Sequence, residues 1–422
     1  MPAIAYLANL YPAPSEPYVR EEIAELRRRG ARIIPCSIAR NSHALEDELR
    51  TCSAETLYVR PLKLGLIIQA TWLVSRNLLR LQHILIRILL RGEEPFLKRV
   101  KALAHTWLGS YLALLLANKR VDHIHVHHGY FGSWVAMVAA RVLGITFSMT
   151  LHGSDLLLHP SYLDLKLKEC SLCFTISDFN RRHLLKNHPE VDPCKIIVHR
   201  MGVECCDPRV RQREQIDSPL AILSVGRLHP VKDHKFLLLA CRLLKHNGLS
   251  FVCRIAGEGD ERPILERMIV RLGLAREVEL LGHIAHDELA GYYDAADMVV
   301  LTSRSEGVPL VLMEAMARGA LVLAPGITGI PELVLHDETG FLYQPGSLED
   351  FVLQVEQIHR VNFALDRIRH AARQRVLTRF NRDINLGAFC DSLLLHLGAS
   401  HDRHPEFPAF LGVKPDEDPV LQ

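Results

Sequence analysis

Five side chains stand out by type and spacing. Glu306 and Glu314 lie eight positions apart, inside Ser303 to Gly319. Arg227 and Lys232 flank a loop of four residues. His152 closes an apolar run and is followed by Gly153, Ser154 and Asp155. Arginine can grip a diphosphate bidentately and lysine as a point charge. Two carboxylates on one helix start can address hydroxyls at two ends of a ligand. The set suits one long anionic molecule of nucleotide-sugar shape: sugar, diphosphate, ribose.

The elements that must position these groups are legible nearby. Met298 to Leu301 has the length and β-branching of a buried strand. Glu306 and Gly307 then fall in a turn, and Pro309 suits the first turn of a helix. Leu310, Val311, Met313, Glu314 and Met316 continue at helical spacing. Strand, tight turn and helix put Glu306 at the carboxyl end of a parallel strand, where open α/β sheets bind ligands. The free N–H groups of the helix start form an anion site. Two glutamates at this spacing are ordinary on a solvated helix face; their surroundings give them meaning. A second strand, glycine turn and basic loop occur at Ala221 to Asp233.

The surroundings Ser-Glu-Gly-x-Pro-x-x-x-x-Glu-Ala-Met-Ala resemble the E-x7-E signature of retaining glycosyltransferases of family 4. That resemblance implies an α/β protein of GT-B architecture, two Rossmann-like doubly wound domains facing a central cleft. It implies sugar transfer from a nucleotide-sugar donor with retention at the anomeric carbon. Gly226-Arg227 to Lys232 resembles the G-R-x-x-x-x-K motif, which implies a grip on the leaving diphosphate. Glu306 would hold the donor sugar and Glu314 the ribose hydroxyls. Gly307, Val308 and Leu310 would meet the phosphates at the helix start. Thr150 to Asp155 resembles T-x-H-x-x-D, which implies His152 against the donor sugar with Asp155 beside it. Gly282-His283-Ile284 resembles the loop that packs on the nucleobase through its main chain. Catalytic roles fall to Glu306 and His152. No metal and no cofactor are expected, because Arg227, Lys232 and a helix dipole can meet the developing charge. Thr328 stands where the family's Gly-Gly-x-x-Glu turn has a glycine, and Thr339 to Leu342 matches its hairpin-like edge. Pro14-Ser15-Glu16 follows the first loop of the exopolysaccharide and colanic-acid branch.

Composition sets bounds. At 422 residues two domains are expected. A net charge of +2 argues against a nucleic-acid partner. Ten cysteines without a disulfide framework fit a reducing cytoplasm; the lone pair Cys170 and Cys173 reads as packing. Met1 to Leu10 lacks a basic segment and is not read as a signal peptide. No apolar run of about 18 residues suggests a spanning helix.

Three stretches admit two readings. Arg76, Arg80, Arg87 and Arg91 fall at steps of four, seven and four, on one face if 62–117 is a continuous amphipathic helix. Nine basic residues against two acids between Arg60 and Lys101 suit an anionic membrane surface, or a solvated basic face. His123, His125 and His127 share one face of a strand; they suit a metal site or, as family members often carry His-x-His here, strand-end histidines. His152 suits a donor contact or a satisfied structural histidine.

The expected organisation is a first domain over 1–205, a linker over 206–219 and a nucleotide-sugar domain over 220–383. A helix over 384–398 crosses back and a tail follows over 399–422. The expected activity is hexosyl transfer from a UDP- or GDP-sugar to a saccharide or lipid-linked saccharide in cell-surface polysaccharide synthesis. The place of action is cytoplasmic, peripheral on the plasma membrane. A GT-B nucleotide-sugar epimerase and a non-catalytic nucleotide-sugar or membrane-surface scaffold are the alternatives.

Overall fold

A computed structural model describes residues 1–13, 16–41, 47–90, 94–158, 160–204, 218–360 and 365–401. Pro14, Ser15, Arg91, most of the expected linker (205–217) and the tail from 402 lie outside the described residues. The chain divides into two compact units. The first takes Met1–Thr175, Arg181–His199 and Leu386–Gln422; the second takes Ile176–Asn180 and Arg200–Asn385.

In the first unit the strands are β1 (Ala3–Leu10), β2 (Arg32–Ala39), β3 (Leu57–Tyr58), β4 (His123–His127), β5 (Thr146–Leu151), β6 (Leu172–Thr175) and β7 (Ile196–Val198). They pair in parallel in the order β3-β2-β1-β4-β5-β6-β7. Such a sheet is covered on both faces, so its strands read as near-continuous apolar runs. One core packs Tyr111, Trp134 and Val138 on one side. The other packs Ile23, Leu26, Phe389 and Leu393 against Ile4, Tyr6 and Phe174. The strand order reverses between β1 and β4. Open sheets bind ligands outside the carboxyl ends at such a reversal.

The segment 62–117 is not one amphipathic helix. It forms three, Leu64–Arg76, Leu78–Leu89 and Phe96–Ala117, with Asn77 closing the first and opening the second. That break separates Arg76 from Arg80 and Arg87, so the expected basic stripe through Arg91 does not form on one helix. Arg76 lies over the Trp72 ring, 4.6 Å from its centroid. Arg80 donates to the Val142 carbonyl at 3.1 Å. Arg87 pairs with Glu94 at 3.0 Å and Asp164 at 3.1 Å. Helix Phe96–Ala117 is long and apolar enough to cross a membrane, but half of its most apolar window is buried in the unit. Thr106 there accepts a 3.0 Å hydrogen bond from the Trp134 indole. A Cβ on Gly109 would stand 2.6 Å from Val138, so this helix packs closely on Phe131–Leu143.

In the second unit the strands are β8 (Leu220–Val225), β9 (Phe251–Ala256), β10 (Val278–Gly282), β11 (Met298–Val300), β12 (Leu321–Pro325) and β13 (Phe341–Tyr343). Their order is β10-β9-β8-β11-β12-β13, all parallel, reversing between β8 and β11. The expected hairpin-like edge is instead a parallel edge strand, β13 on β12. Helices Leu348–Arg360 and Leu365–Arg379 follow β13.

Candidate active site

The second unit gathers Arg227, Lys232 and Glu306 at its strand-order reversal. β8 delivers Gly226 and Arg227; neighbouring β11 leads to Glu306. Lys232 sits in a 3-10 turn, Pro230–Lys232. Its carbonyl accepts from the Thr302 hydroxyl at 2.9 Å, and the Arg304 N–H donates to the Val231 carbonyl at 2.8 Å. So anchored, Lys232 Nζ donates to Glu306 Oε1 at 2.6 Å. The Lys232 methylenes lie 3.5–3.6 Å from where a Cβ on Gly226 would stand. Arg227 is exposed and makes no ion pair among the described residues.

Glycine turns lace the ends of β8, β9 and β10. Gly226 N–H donates to Ala256 at 2.9 Å and Gly257 N–H to Gly282 at 2.7 Å. A Cβ on Gly257 would stand 2.0 Å from the Gly226 carbonyl oxygen, and its φ of +148° also requires glycine. This lacing fixes where the Gly282-His283-Ile284 loop begins. Thr328 adopts φ +47°, the left-handed conformation that suits the glycine it replaces. Its hydroxyl donates to the Glu306 carbonyl at 2.5 Å, so threonine here ties down the Glu306 turn.

Gly307 and buried Val308 lead into helix Leu310–Ala317. Pro309 is the N-cap rather than a first-turn residue, a shift of one position. Glu314 accepts from the Tyr293 hydroxyl at 2.7 Å. Burial pushes the Glu314 carboxyl up; Tyr293, His286 and Arg318 oppose that. Nothing in the spacing of the chain pointed to Tyr293.

In the first unit a buried polar cluster fills the reversal between β1 and β4. The Glu22 carboxylate accepts from the Tyr6 hydroxyl and faces His127 Nε2 at 2.9 Å. His127 Nδ1 in turn meets His152 Nε2 at 2.9 Å. A carboxylate only accepts, so His127 carries its proton on Nε2. In the neutral tautomer of His127 its Nδ1 accepts from His152 Nε2–H, which leaves His152 Nδ1 as an acceptor. These tautomers follow from the network. Burial pushes His152 well down, with His128 and His127 adding to it, so His152 is neutral. Burial resists ionisation of Glu22, yet His127, His199 and the Tyr6 hydrogen bond hold its carboxyl below the usual range.

Asp155 is fully buried and its carboxylate serves the backbone. It accepts from Gly129 N–H and Gly153 N–H at 2.8 Å and from His152 N–H at 3.1 Å. Asp155 thus shapes the loop that presents His152. Glu16 faces His128 Nε2 at 3.2 Å, and the Tyr18 ring lies 5.1 Å from that of His152.

Sequence reasoning missed Glu22, Tyr6 and His199. For Glu22 a signal existed: it shares the buried face of helix Pro17–Arg28 with Val19, Ile23 and Leu26. A carboxylate on an apolar face needs a partner. Glu22, His125 and His127 place ligand atoms within 4.8 Å of one another, as a metal site would. Hydroxyls, however, occupy both His125 nitrogens: Ser148 at 2.7 Å and Thr150 at 3.2 Å. His123 bonds Thr146 and Ser148, both at 2.7 Å. The His-x-His-x-His run is a buried imidazole–hydroxyl ladder.

Two family models match in series. "Glycosyltransferase Family 4" covers residues 15–205 and "Glycosyl transferases group 1" covers 207–375. The amylovoran biosynthesis glycosyltransferase AmsK of Erwinia amylovora is 31% identical over 64% of this chain and 70% of its own length. The putative colanic acid biosynthesis glycosyltransferase WcaL of Escherichia coli is 34% identical over 53% of this chain, which spans 58% of that protein. Sucrose-phosphate synthase from Thermosynechococcus elongatus superposes with a TM-score of 0.73 at 17% identity, over 95% of this chain and all of its own. Anabaena HepE in complex with UDP-glucose gives 0.67 at 18%, over 93% of this chain and 99% of its own. At these identities the structures speak for the fold.

Proposed function

This chain belongs to the GT-B glycosyltransferases with a family 4 domain followed by a group 1 domain, and from that premise we propose that it moves a hexose from a UDP- or GDP-sugar to a saccharide or lipid-linked saccharide. Its relatives act in exopolysaccharide biosynthesis, and neither an epimerase nor a scaffold is favoured. Retention fits the family. The observation that carries the proposal is the Lys232–Glu306 pair beside unpaired Arg227 at the reversal between β8 and β11.

In this reading Arg227 and Lys232 take the leaving diphosphate, helped by the N–H groups around Gly307, Val308 and Leu310. Glu306 exchanges its lysine for donor hydroxyls and orients the sugar ring. Glu314 takes the ribose hydroxyls and the Ile284 loop takes the base. His152 offers Nδ1 to a sugar hydroxyl. Protein charge serves in place of a divalent ion.

The test is a thermal-shift panel of UDP-, GDP- and ADP-sugars on wild type and Arg227→Ala. Ligand at about 100 times Kd stabilises by roughly 2.7 kcal/mol. One nucleotide class should shift wild type and not the variant. No shift with any class would remove the donor reading.

The proposal extends to the cytoplasmic face of an anionic membrane. Leu64, Ile68 and Trp72, at steps of four on one helix, are 78%, 71% and 51% exposed. Lys63 and Arg76 bracket them. An apolar stripe between cations suits an anionic lipid leaflet. Wild type should float with phosphatidylglycerol liposomes and Ile68→Asp/Trp72→Asp should not; equal flotation of the two refutes this docking face.

A further inference from the structure

The first unit holds a second concave site. A cavity of about 390 Å³ opens between helix Phe96–Ala117, the loop after β4 and the start of helix Leu163–Glu169. That volume falls in the range of small-ligand sites. Lys98, Lys101 and His105 line it from one helix at steps of three and four, one face of that helix. Lys166 lines it from within the fold. Lys166 is 2% exposed, and its ammonium donates only to the carbonyls of Gly129 and Tyr130. Burial pulls it down to about 8, against the pull of Asp155 and Asp164. Neither Lys98 nor Lys101 has an ion-pair partner among the described residues, and no described carboxylate lines the cavity.

Part of the wall is aromatic. Tyr130, Phe131, Trp134 and Tyr162 contribute. Two lining residues also carry a buried polar atom without a partner, Asn9 Oδ1 and the Tyr162 hydroxyl. Such orphans are rare in native interiors and ask for a hydrogen-bonding ligand. Tyr162 is moreover held at φ +53°, a conformation that non-glycine residues keep only when their surroundings enforce it.

We propose that this cavity binds the acceptor as an anionic saccharide, with its phosphate or carboxylate between Lys98, Lys101 and Lys166 and its rings on the aromatic wall. This rests on the transferase reading and names the acceptor class for it. The location fits. Tyr130 stacks on His128 at 5.7 Å, and the His128 ring lies 4.4 Å from that of His152. The anion has two sources, the diphosphate of a lipid-linked saccharide or an acidic sugar. Phe96 and Leu97, 75% and 72% exposed at the head of the same helix, give a lipid somewhere to lie.

The test is calorimetric titration of the full chain with three probes: farnesyl-diphosphate-linked glucose, trigalacturonate and neutral cellotriose. Wild type is compared with Lys98→Ala/Lys101→Ala, whose side chains are exposed, and UDP is titrated into both. At least one anionic probe should bind wild type about tenfold more tightly than cellotriose, the worth of one charge-assisted contact. The double variant should lose that preference and keep its affinity for UDP. A stronger farnesyl probe assigns a lipid diphosphate; a stronger trigalacturonate assigns an acidic sugar. Equal binding of all three probes to wild type, or a preference that survives in the double variant, overturns the proposal. Loss of UDP binding in Arg227→Ala beside either of those results would overturn the acceptor site alone and leave the donor site standing.

Discussion

Replacing Lys232 with alanine is expected to lower kcat by on the order of 10²–10³-fold, the loss typical when one preorganised group facing developing charge is removed. KM should change far less, because the diphosphate carries most of its extra charge only as the sugar leaves. The geometry explains why Lys232 is preorganised. Its turn is pinned by Thr302 and Arg304, and its stem lies along Gly226. Its ammonium rests on Glu306, so neither charge stands unpaired before the donor arrives. The same pairing offers a rival account, in which Lys232 merely neutralises Glu306. A double-mutant cycle separates the two. If Lys232 acts on the leaving group, Glu306→Gln/Lys232→Ala is far slower than Glu306→Gln alone. If it only neutralises Glu306, the double variant matches Glu306→Gln. Lys232→Arg should recover part of the rate, since it restores the charge with altered geometry. A Lys232→Ala enzyme within about threefold of the wild-type kcat would show that the leaving diphosphate is stabilised elsewhere.

The grouping of Arg227, Lys232 and Glu306 was legible because these residues lie close together in sequence or at strand ends. Arg227 and Lys232 are five apart, Glu306 and Glu314 eight apart, and each group follows a strand whose apolar run marks it. The apolar run Met298 to Leu301 holds β11, Met298–Val300. The histidine cluster was half legible. His127 and His152 stood out, but Glu22 is 105 positions from His127 and joins it only through packing of the helix after β1 on the sheet. The segment 62–117 was misread for a related reason. Periodicity through Arg76 and Arg87 presumes an unbroken helix, and neither the break at Asn77 nor the partner Asp164, 77 positions from Arg87, is a local property. The edge strand β13 shows the same limit, since its register on β12 is set by the parallel sheet and not by the turn at Gly340.

The histidines that fill the first unit should make it acid-labile well above the pH at which carboxylates titrate. Burial pulls His123 down to about 3 and His199 to about 4, and pushes His125 and His152 down as well. An imidazole in the unfolded chain takes its proton near pH 6.5. Between that pH and the native values the unfolded chain binds protons that the folded unit refuses, so stability falls as pH falls. At pH 5, His123 and His199 each cost about 2 kcal/mol by this linkage. Together they remove about 4 kcal/mol from a total that for most domains is only about 5–15. His128 acts with the opposite sign. Burial opposes its proton, but Glu16 and Asp155 raise it above the usual value, so its contribution is present in acid and lost as pH rises. One such group does not offset four. Glu16 and Glu22, both held below the usual carboxylate range, add their loss only at lower pH. The readout is built in: all three tryptophans, Trp72, Trp107 and Trp134, belong to the first unit, so their fluorescence follows its unfolding alone. Denaturant titrations should give a first-unit stability several kcal/mol lower at pH 5 than at pH 7. In His123→Gln, which retains hydrogen-bonding groups but cannot titrate, the difference between the two pH values should shrink by about 2 kcal/mol. A wild-type midpoint that does not move between pH 7 and pH 5 would mean that these imidazoles titrate normally, with water reaching the ladder beneath His152.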